Sequence, residues 1–440
     1  MTIALSIVLA LVQTVSPPAA APQVKGTTPA ACVAEVREFT TTRMAAARAA
    51  LPTAATPEER LELNRGLVAV NQQISKTAAS MAATCAAKFD VATVPEAALP
   101  ALAELYTQAG MADAANAAVL RAVGASSLGE TERASALMQA ISIGLTQPKS
   151  EERNARLESH VDALDRLSDA VLDVKYNAHS RMNGYYRFDD IDAGIVKHST
   201  WLIEKTKSSP ELRTKYGRIA ISAYGNMAEA WAGQGRNDEA IALLRRAPSE
   251  LTGVPDVAAS LESTLARYLL VGTPAAAITA SRWLNGPDGS TAVDMKGHVT
   301  LLEFTAHWCG PCKESYPGIK RLLATYGSKG FRAVFATELY GYFGTERPLT
   351  PDAEFERDRE YFKKEGLAVP IAVSDQVTPK TVNGRPVYTP DPNNAAYKVG
   401  GIPQIHLIDR QGRIRLIMIG YDDANEPQLA KLIEGLLKEK

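Results

Sequence analysis

Cys309 and Cys312 stand two residues apart in His307-Trp308-Cys309-Gly310-Pro311-Cys312, a spacing that can make and break a disulfide. Before them runs Val299-Thr300-Leu301-Leu302-Glu303-Phe304-Thr305, a short and mainly apolar stretch that predicts a buried strand. After them, Ile319, Leu322 and Leu323 share one face of a predicted helix. The pair therefore falls at a helix N-terminus, where exposed N–H groups and the positive end of the dipole favour a thiolate. Two intervening residues, Gly310 and Pro311, let both sulfurs meet across the first turn, and Pro311 suits that turn because it has no N–H to satisfy. Cys309 is expected to attack a disulfide, and Cys312 to resolve the mixed disulfide that results.

Other chemistries fit these residues less well. Haem attachment needs a His after the second cysteine, and Lys313 stands there. Zinc needs four ligands, and neither a second C-x-x-C nor a His pair is present, so no metal and no cofactor is expected. A purely structural disulfide fits poorly with Gly-Pro at a helix start. Glu303 lies among Leu301, Leu302 and Phe304. Buried there, its carboxyl would have a raised pKa and could take the Cys312 proton; at a sheet end it would simply face water. His307 could tune Cys309, but an exposed His beside the motif is the simpler expectation. The other two cysteines, Cys32 and Cys85, fall in predicted helices far upstream. In an oxidising compartment a structural disulfide between them is expected, closing a loop of about 54 residues and contributing about 4 kcal/mol. Two separate buried thiols are the alternative.

The elements that must position these residues form more than one domain, since 440 residues exceed a single core. Apolar residues make up 46% and charged residues 22%, with a net charge of −1. That balance leaves no footprint for nucleic acid or an anionic membrane surface. Ile3 to Val12 is apolar and Ser16 to Ala21 is small and Pro/Ala-rich, so residues 1–21 read as an export signal, although no Lys or Arg precedes the apolar run. Cys32 is too far from that run to be a lipid-attachment cysteine, and no stable membrane span is expected in the mature chain. Residues 22–30 read as a flexible leader. From 31 to 272 the periodicity is helical; Leu157, Val161, Leu164, Leu167, Val171 and Val174 predict one continuous face. Two stretches there share their offsets: Leu102-Ala103, Tyr106, Gly110, Ala115, Val119, Ala122, and Met227-Ala228, Trp231, Gly235, Ala240, Leu244, Ala247. Both resemble the tetratricopeptide repeat, and a weaker third copy starts at Leu265-Ala266 with Gly272 and Ala277. From 273 to 440 strands and helices alternate, which predicts an α/β domain.

The region from about 278 to 439 resembles the thioredoxin superfamily, most closely the extracytoplasmic TlpA/ResA-like thiol–disulfide oxidoreductases. The matching features are Gly286 to Gly289 and Val293 to Gly297 as an N-terminal hairpin, Trp308 to Cys312, Gly400-Gly401-Ile402-Pro403, and Gln404 to Arg413 as a hairpin turning at Asp409 to Gly412. A last helix follows, with Leu429, Leu432, Ile433, Leu436 and Leu437 on one face and Asn425 as its cap. The fold implied overall is multidomain: an N-terminal all-α, tetratricopeptide-like domain and a C-terminal α/β thioredoxin fold. The resemblance implies a cis Ile402-Pro403 beside Cys309, Trp308, Ile402 and Pro403 as the substrate-binding residues, and Glu303 in place of the family's buried acid. Thr305 departs from the usual aromatic. A long segment, 374–397, carries Asn383-Gly384, Pro386, Pro390 and Pro392, and Tyr340, Tyr342 and Phe343 follow a core strand; these pieces either rim the site or form a solvated loop. The implied activity is periplasmic thiol–disulfide exchange, in the reducing direction because Gly-Pro is the dipeptide of thioredoxin, whose potential is about −270 mV. Its partners would be protein disulfides, an upstream dithiol reductant and a protein on the helical domain. The alternatives are a partner-binding scaffold with a redox sensor, or an oxidase or isomerase.

Overall fold

The computed structural model describes residues 22–51, 57–188, 192–286, 292–375, 380–382, 385–387, 391–421, 423 and 426–439. The export segment 1–21, Pro287 to Gly289, the Asn383-Gly384 turn, Pro390 and Asn425 lie outside the described residues. The chain divides into two compact units, Met1–Ala178 and His179–Lys440.

The first unit is helical: α1 (Pro29–Ala49), α2 (Pro57–Ala86), α3 (Leu99–Gln108), α4 (Ala112–Gly124), α5 (Glu130–Gly144) and α6 (Glu151–Asp165) precede α7 (Leu172–Phe188), inside which the division falls. Cys32 on α1 and Cys85 on α2 are joined by a disulfide, with Cα atoms 6.3 Å apart and both side chains fully buried. Residues 22–28 are not a loose leader. Lys88 Nζ donates to the carbonyls of Val24 and Gly26 at 3.2 and 3.3 Å, and Gly26 lies so close to Cys32 that a Cβ there would meet its N and Sγ under 3.0 Å. The first repeat stretch forms α3 and α4, closed by the Met111 N–H on the Tyr106 carbonyl at 2.9 Å. Gly110 makes that closure with φ +73°, a left-handed conformation that a side chain would disfavour. The face expected to run on from Leu157 to Val174 is broken: α6 ends at Asp165, the Ser168 hydroxyl caps a short 3₁₀ turn, and Lys175 Nζ takes the carbonyls of Asp165 and Leu167 at 3.1 and 2.6 Å.

The second unit opens with α8 (Asp192–Lys207), α9 (Pro210–Gly233), α10 (Asn237–Glu250) and α11 (Val257–Tyr268). α9 and α10 are closed as α3 and α4 are, by the Arg236 N–H on the Trp231 carbonyl and Gly235 at φ +77°. The expected third copy does not form a helix pair. After α11 the chain is extended, and Gly272 and Ala275 donate to the carbonyls of Ile414 and Gly412 at 2.7 Å each. The segment has become an edge partner of a hairpin, with Pro274 bridging Arg413.

The α/β part contains β1 (Ile278–Thr279), β2 (Arg282–Leu284), β3 (Ala292–Val293), β4 (Val299–Phe304), α12 (Gly310–Tyr326), β5 (Phe331–Glu338), α13 (Pro351–Lys364), β6 (Ile371–Ser374), β7 (Lys380–Val382), β8 (Arg385–Val387), α14 (Pro392–Ala396), β9 (Gln404–Ile408), β10 (Ile414–Ile419) and α15 (Glu426–Lys438). Among the described residues the main sheet has six strands in the order β10-β9-β4-β5-β6-β2. β4, β5 and β6 are parallel, while β9, β10 and β2 are antiparallel to their neighbours, a thioredoxin-like arrangement. Every residue of β4 is buried, so each large apolar side chain there contributes about 1.5–3 kcal/mol and fixes the strand that leads into the cysteines. The character of the sequence changes at 273, but the compact division lies at 178/179. The reason is that α9 packs on β10, tying the last helices to the sheet.

Candidate active site

β4 ends at Phe304, and a five-residue connection delivers the chain to α12 with Cys309 at its N-cap. Cys309 Sγ accepts the Cys312 N–H at 3.1 Å, and the two cysteines are joined by a disulfide with Cα atoms 5.3 Å apart. Both cysteines are buried, Cys309 at 4% and Cys312 at 0% exposure. Gly310 and Pro311 face solvent, and Trp308 is 49% exposed, its ring edge-on to Tyr340 with centroids 5.4 Å apart.

Glu303 is fully buried in β4, and burial pushes its carboxyl up to about 8. The Ser315 hydroxyl lies 2.9 and 3.2 Å from the two Glu303 oxygens and 2.6 Å from the Cys312 carbonyl oxygen. One hydroxyl proton cannot serve both neighbours. A neutral Glu303 supplies the second, donating to Ser315 Oγ while Ser315 donates to Cys312. Thr305, where an aromatic was expected from the resemblance, is buried and hydrogen-bonded to the Tyr316 hydroxyl at 2.9 Å. Thr305 and Tyr316 thus make a polar contact behind the cysteines.

The Ile402-Pro403 peptide bond is cis. The Pro403 carbonyl accepts the Gly420 N–H at 2.9 Å, and the Gln404 side chain holds the loop from below, accepting from Gly400 N–H and donating to the Tyr397 carbonyl, each at 3.1 Å. Gln404 Nε2 also donates to His406 Nε2 at 2.9 Å; burial, helped by Arg267, lowers the His406 pKa to about 3, so this ring is neutral. Pro311, Ile402 and Pro403 line one side of a cleft of about 230 Å³, with Arg187, Asn226 and Glu229 on the other. The loop and the helices are tied by buried Arg267. Its Nε donates to the Lys398 carbonyl at 3.0 Å, its Nη1 lies 3.5 Å from Glu229, and Glu229 also pairs with Arg187 at 2.8 Å.

His307 is not exposed beside the motif, as the sequence suggested. Its side chain is covered by Tyr340, Tyr342 and Phe343, with ring centroids 4.7–5.8 Å away, and it lies 3.2 Å from Asp358 of α13. Those three aromatics are thus neither scattered nor solvated; they wall in the residue two places before Cys309.

No family model matches the chain. Thioredoxin H7 of Arabidopsis thaliana is 40% identical over 58 residues, which are 13% of this chain and 45% of that protein. Thioredoxin-like protein YneN of Bacillus subtilis is 26% identical over 131 residues, 30% of this chain and 62% of that protein. This stretch is similar to thioredoxins. The chain spans less than two thirds of the length of these curated relatives. Solved structures that resemble it include StoA of Bacillus subtilis (19% identity, TM-score 0.25, covering 36% of this chain and 97% of that one) and a thiol:disulfide interchange protein of Chlorobium tepidum (16%, 0.26, 38% and 96%).

Ser315, Glu354, Asp358 and Arg267 belong to the site or its supports, and no motif marks them. Ser315 alone carries a local signal, since it lies three residues after Cys312, on the same side of α12.

Proposed function

We propose that the chain is a thiol–disulfide oxidoreductase that reduces protein disulfides outside the cytoplasm. The observation that carries this reading is the Cys309–Cys312 disulfide at the start of α12, with Cys309 at the N-cap next to exposed Trp308, its Sγ accepting the Cys312 N–H, and Cys312 buried one turn inward. In the reduced chain the Cys309 thiolate attacks a substrate disulfide. A Cys309–substrate disulfide forms, and the first substrate sulfur leaves and takes up a proton. Cys312 then loses its proton to Glu303 in its ionised form, which a pKa of about 8 keeps within reach near neutral pH, and attacks Cys309 Sγ; the Cys309–Cys312 disulfide forms and the second substrate thiolate departs. The substrate gains two electrons, and an upstream dithiol returns them to the enzyme. Trp308, Ile402 and Pro403 would contact the substrate strand, the Ile402 backbone pairing with it. A buried Cys32–Cys85 disulfide in the other unit supports an oxidising compartment.

The test is capture and turnover. Cys312→Ser should accumulate mixed disulfides with several client proteins, Cys309→Ser none, and the wild-type chain should reduce insulin in the presence of a dithiol. One stable complex and no turnover would favour the redox-sensing scaffold. A measured potential of about −120 to −180 mV, in place of one near about −270 mV, would favour an oxidase or isomerase.

A further inference from the structure

His307, Glu354 and Asp358 come from the connection after β4 and from α13, and turn towards one another. One ligand atom from each, a ring nitrogen and two carboxylate oxygens, lies within 4.8 Å of the others. The side chains of His307 and Asp358 are 3% and 1% exposed. Their closest atoms, Nδ1 and Oδ1, are 3.2 Å apart but lack hydrogen-bond alignment, so both ring nitrogens and both carboxylate oxygens are buried without a hydrogen bond. Buried polar atoms are nearly always satisfied, and four in one place call for a further group.

We propose that His307, Glu354 and Asp358 form a site for one divalent transition cation, Zn²⁺ or Mn²⁺. One imidazole and two carboxylates are ordinary ligands for such ions, and two carboxylates neutralise the cation in a place closed to water. The Glu354 carboxylate is fixed in position, since its two oxygens accept the N–H groups of Tyr340 and Gly341 at 2.6 Å each, and a carboxylate retains acceptor capacity beyond two such bonds. The three ligand atoms lie within 4.8 Å of one another, against the roughly 3.5 Å separation of tetrahedral ligands with bonds near 2.1 Å, so His307 and Asp358 would draw in towards the fixed Glu354 carboxylate on binding. The bound ion would lock the segment carrying Trp308 and Cys309 to α13 and to the 340–343 aromatics. It would be structural, taking no part in electron transfer.

The experiment uses the oxidised full-length chain, so that no cysteine thiolate can take the metal. Titration calorimetry with ZnCl₂, and absorption with CoCl₂ as a probe, should give one ion per chain and a cobalt spectrum of N/O ligation without thiolate charge transfer. Asp358→Asn and His307→Gln, each checked for folding by circular dichroism, should each weaken binding at least tenfold. No binding of Zn²⁺, Mn²⁺ or Co²⁺ by the wild-type chain would overturn the site, and so would binding that survives both substitutions. Insulin reduction is read separately, so a chain that binds metal but does not turn over would leave this site standing and remove only the proposed activity.

Discussion

At the scale of single residues, Glu303 has the sharpest consequence. Its carboxyl is pushed up to about 8 by burial, against 4.5 for an ordinary glutamate. Between those two pH values the folded chain holds a proton that the unfolded chain has lost. The contribution of Glu303 to stability is therefore greatest below about 4.5, falls as pH rises, and levels off above about 8, by an amount on the order of a few kcal/mol. Other groups titrate over the same range, buried His406 among them with the opposite sign, so the reading is the difference between wild type and Glu303→Gln. Between pH 5 and 9 the urea midpoint of the oxidised wild type should fall relative to that of Glu303→Gln and then run parallel to it. A difference that stays constant or grows in favour of the wild type as pH rises would mean that the carboxyl is charged in the fold. In turnover, Glu303→Gln should leave the first attack by Cys309 almost unchanged and slow release of the mixed disulfide by about 100-fold, as stopped-flow with a disulfide peptide would show.

At the scale of elements, the site is assembled from one local piece and several remote ones. β4, the Cys-x-x-Cys turn and α12 are contiguous, and their signals are composition and period, so this piece is legible in the sequence. Gly110 and Gly235 are legible for the same reason, since a helix-ending glycine acts within a few residues. What brings Asp358 and Glu354 to His307 is the parallel pairing of β4 with β5, which no local pattern encodes. Arg267 is equally silent: it reads as a surface charge on α11, yet it is buried between Glu229 and the Lys398 carbonyl. It also fills the space against Gly400, where any side chain would collide with its guanidinium. Arg267→Ala should strip the cis-proline loop of its tie to the helices and leave Glu229 with Arg187 alone. The expected loss is about 3 kcal/mol in urea unfolding, with faster amide exchange at Val399 to Gly401 than in β4. Exchange that quickens equally in both would show that Arg267 supports the whole fold and has no special hold on the loop.

At the scale of the whole molecule, the chain carries two disulfides with opposite demands, one in each compact unit. Under the proposed exchange Cys309–Cys312 would open and close, and it stands at a helix start with Cys309 at the N-cap beside exposed Trp308. Cys32–Cys85 is fully buried between α1 and α2, covered by Gly26 and the 22–28 segment, and nothing in its setting offers a thiolate a route to a partner. Its role follows from what it does to the unfolded chain: a bridge across 53 positions removes loop entropy, worth about 4 kcal/mol in the chain-entropy model. The effect should belong to one unit. In calorimetry the double variant Cys32→Ala/Cys85→Ala should move only the transition of the helical unit to lower temperature, by roughly 10 °C or more at ~4 kcal/mol. Turnover of a test disulfide at 25 °C, which depends on the other unit, should change by less than about twofold. A variant that melts as one transition with the active unit would show that the two units share a single cooperative fold.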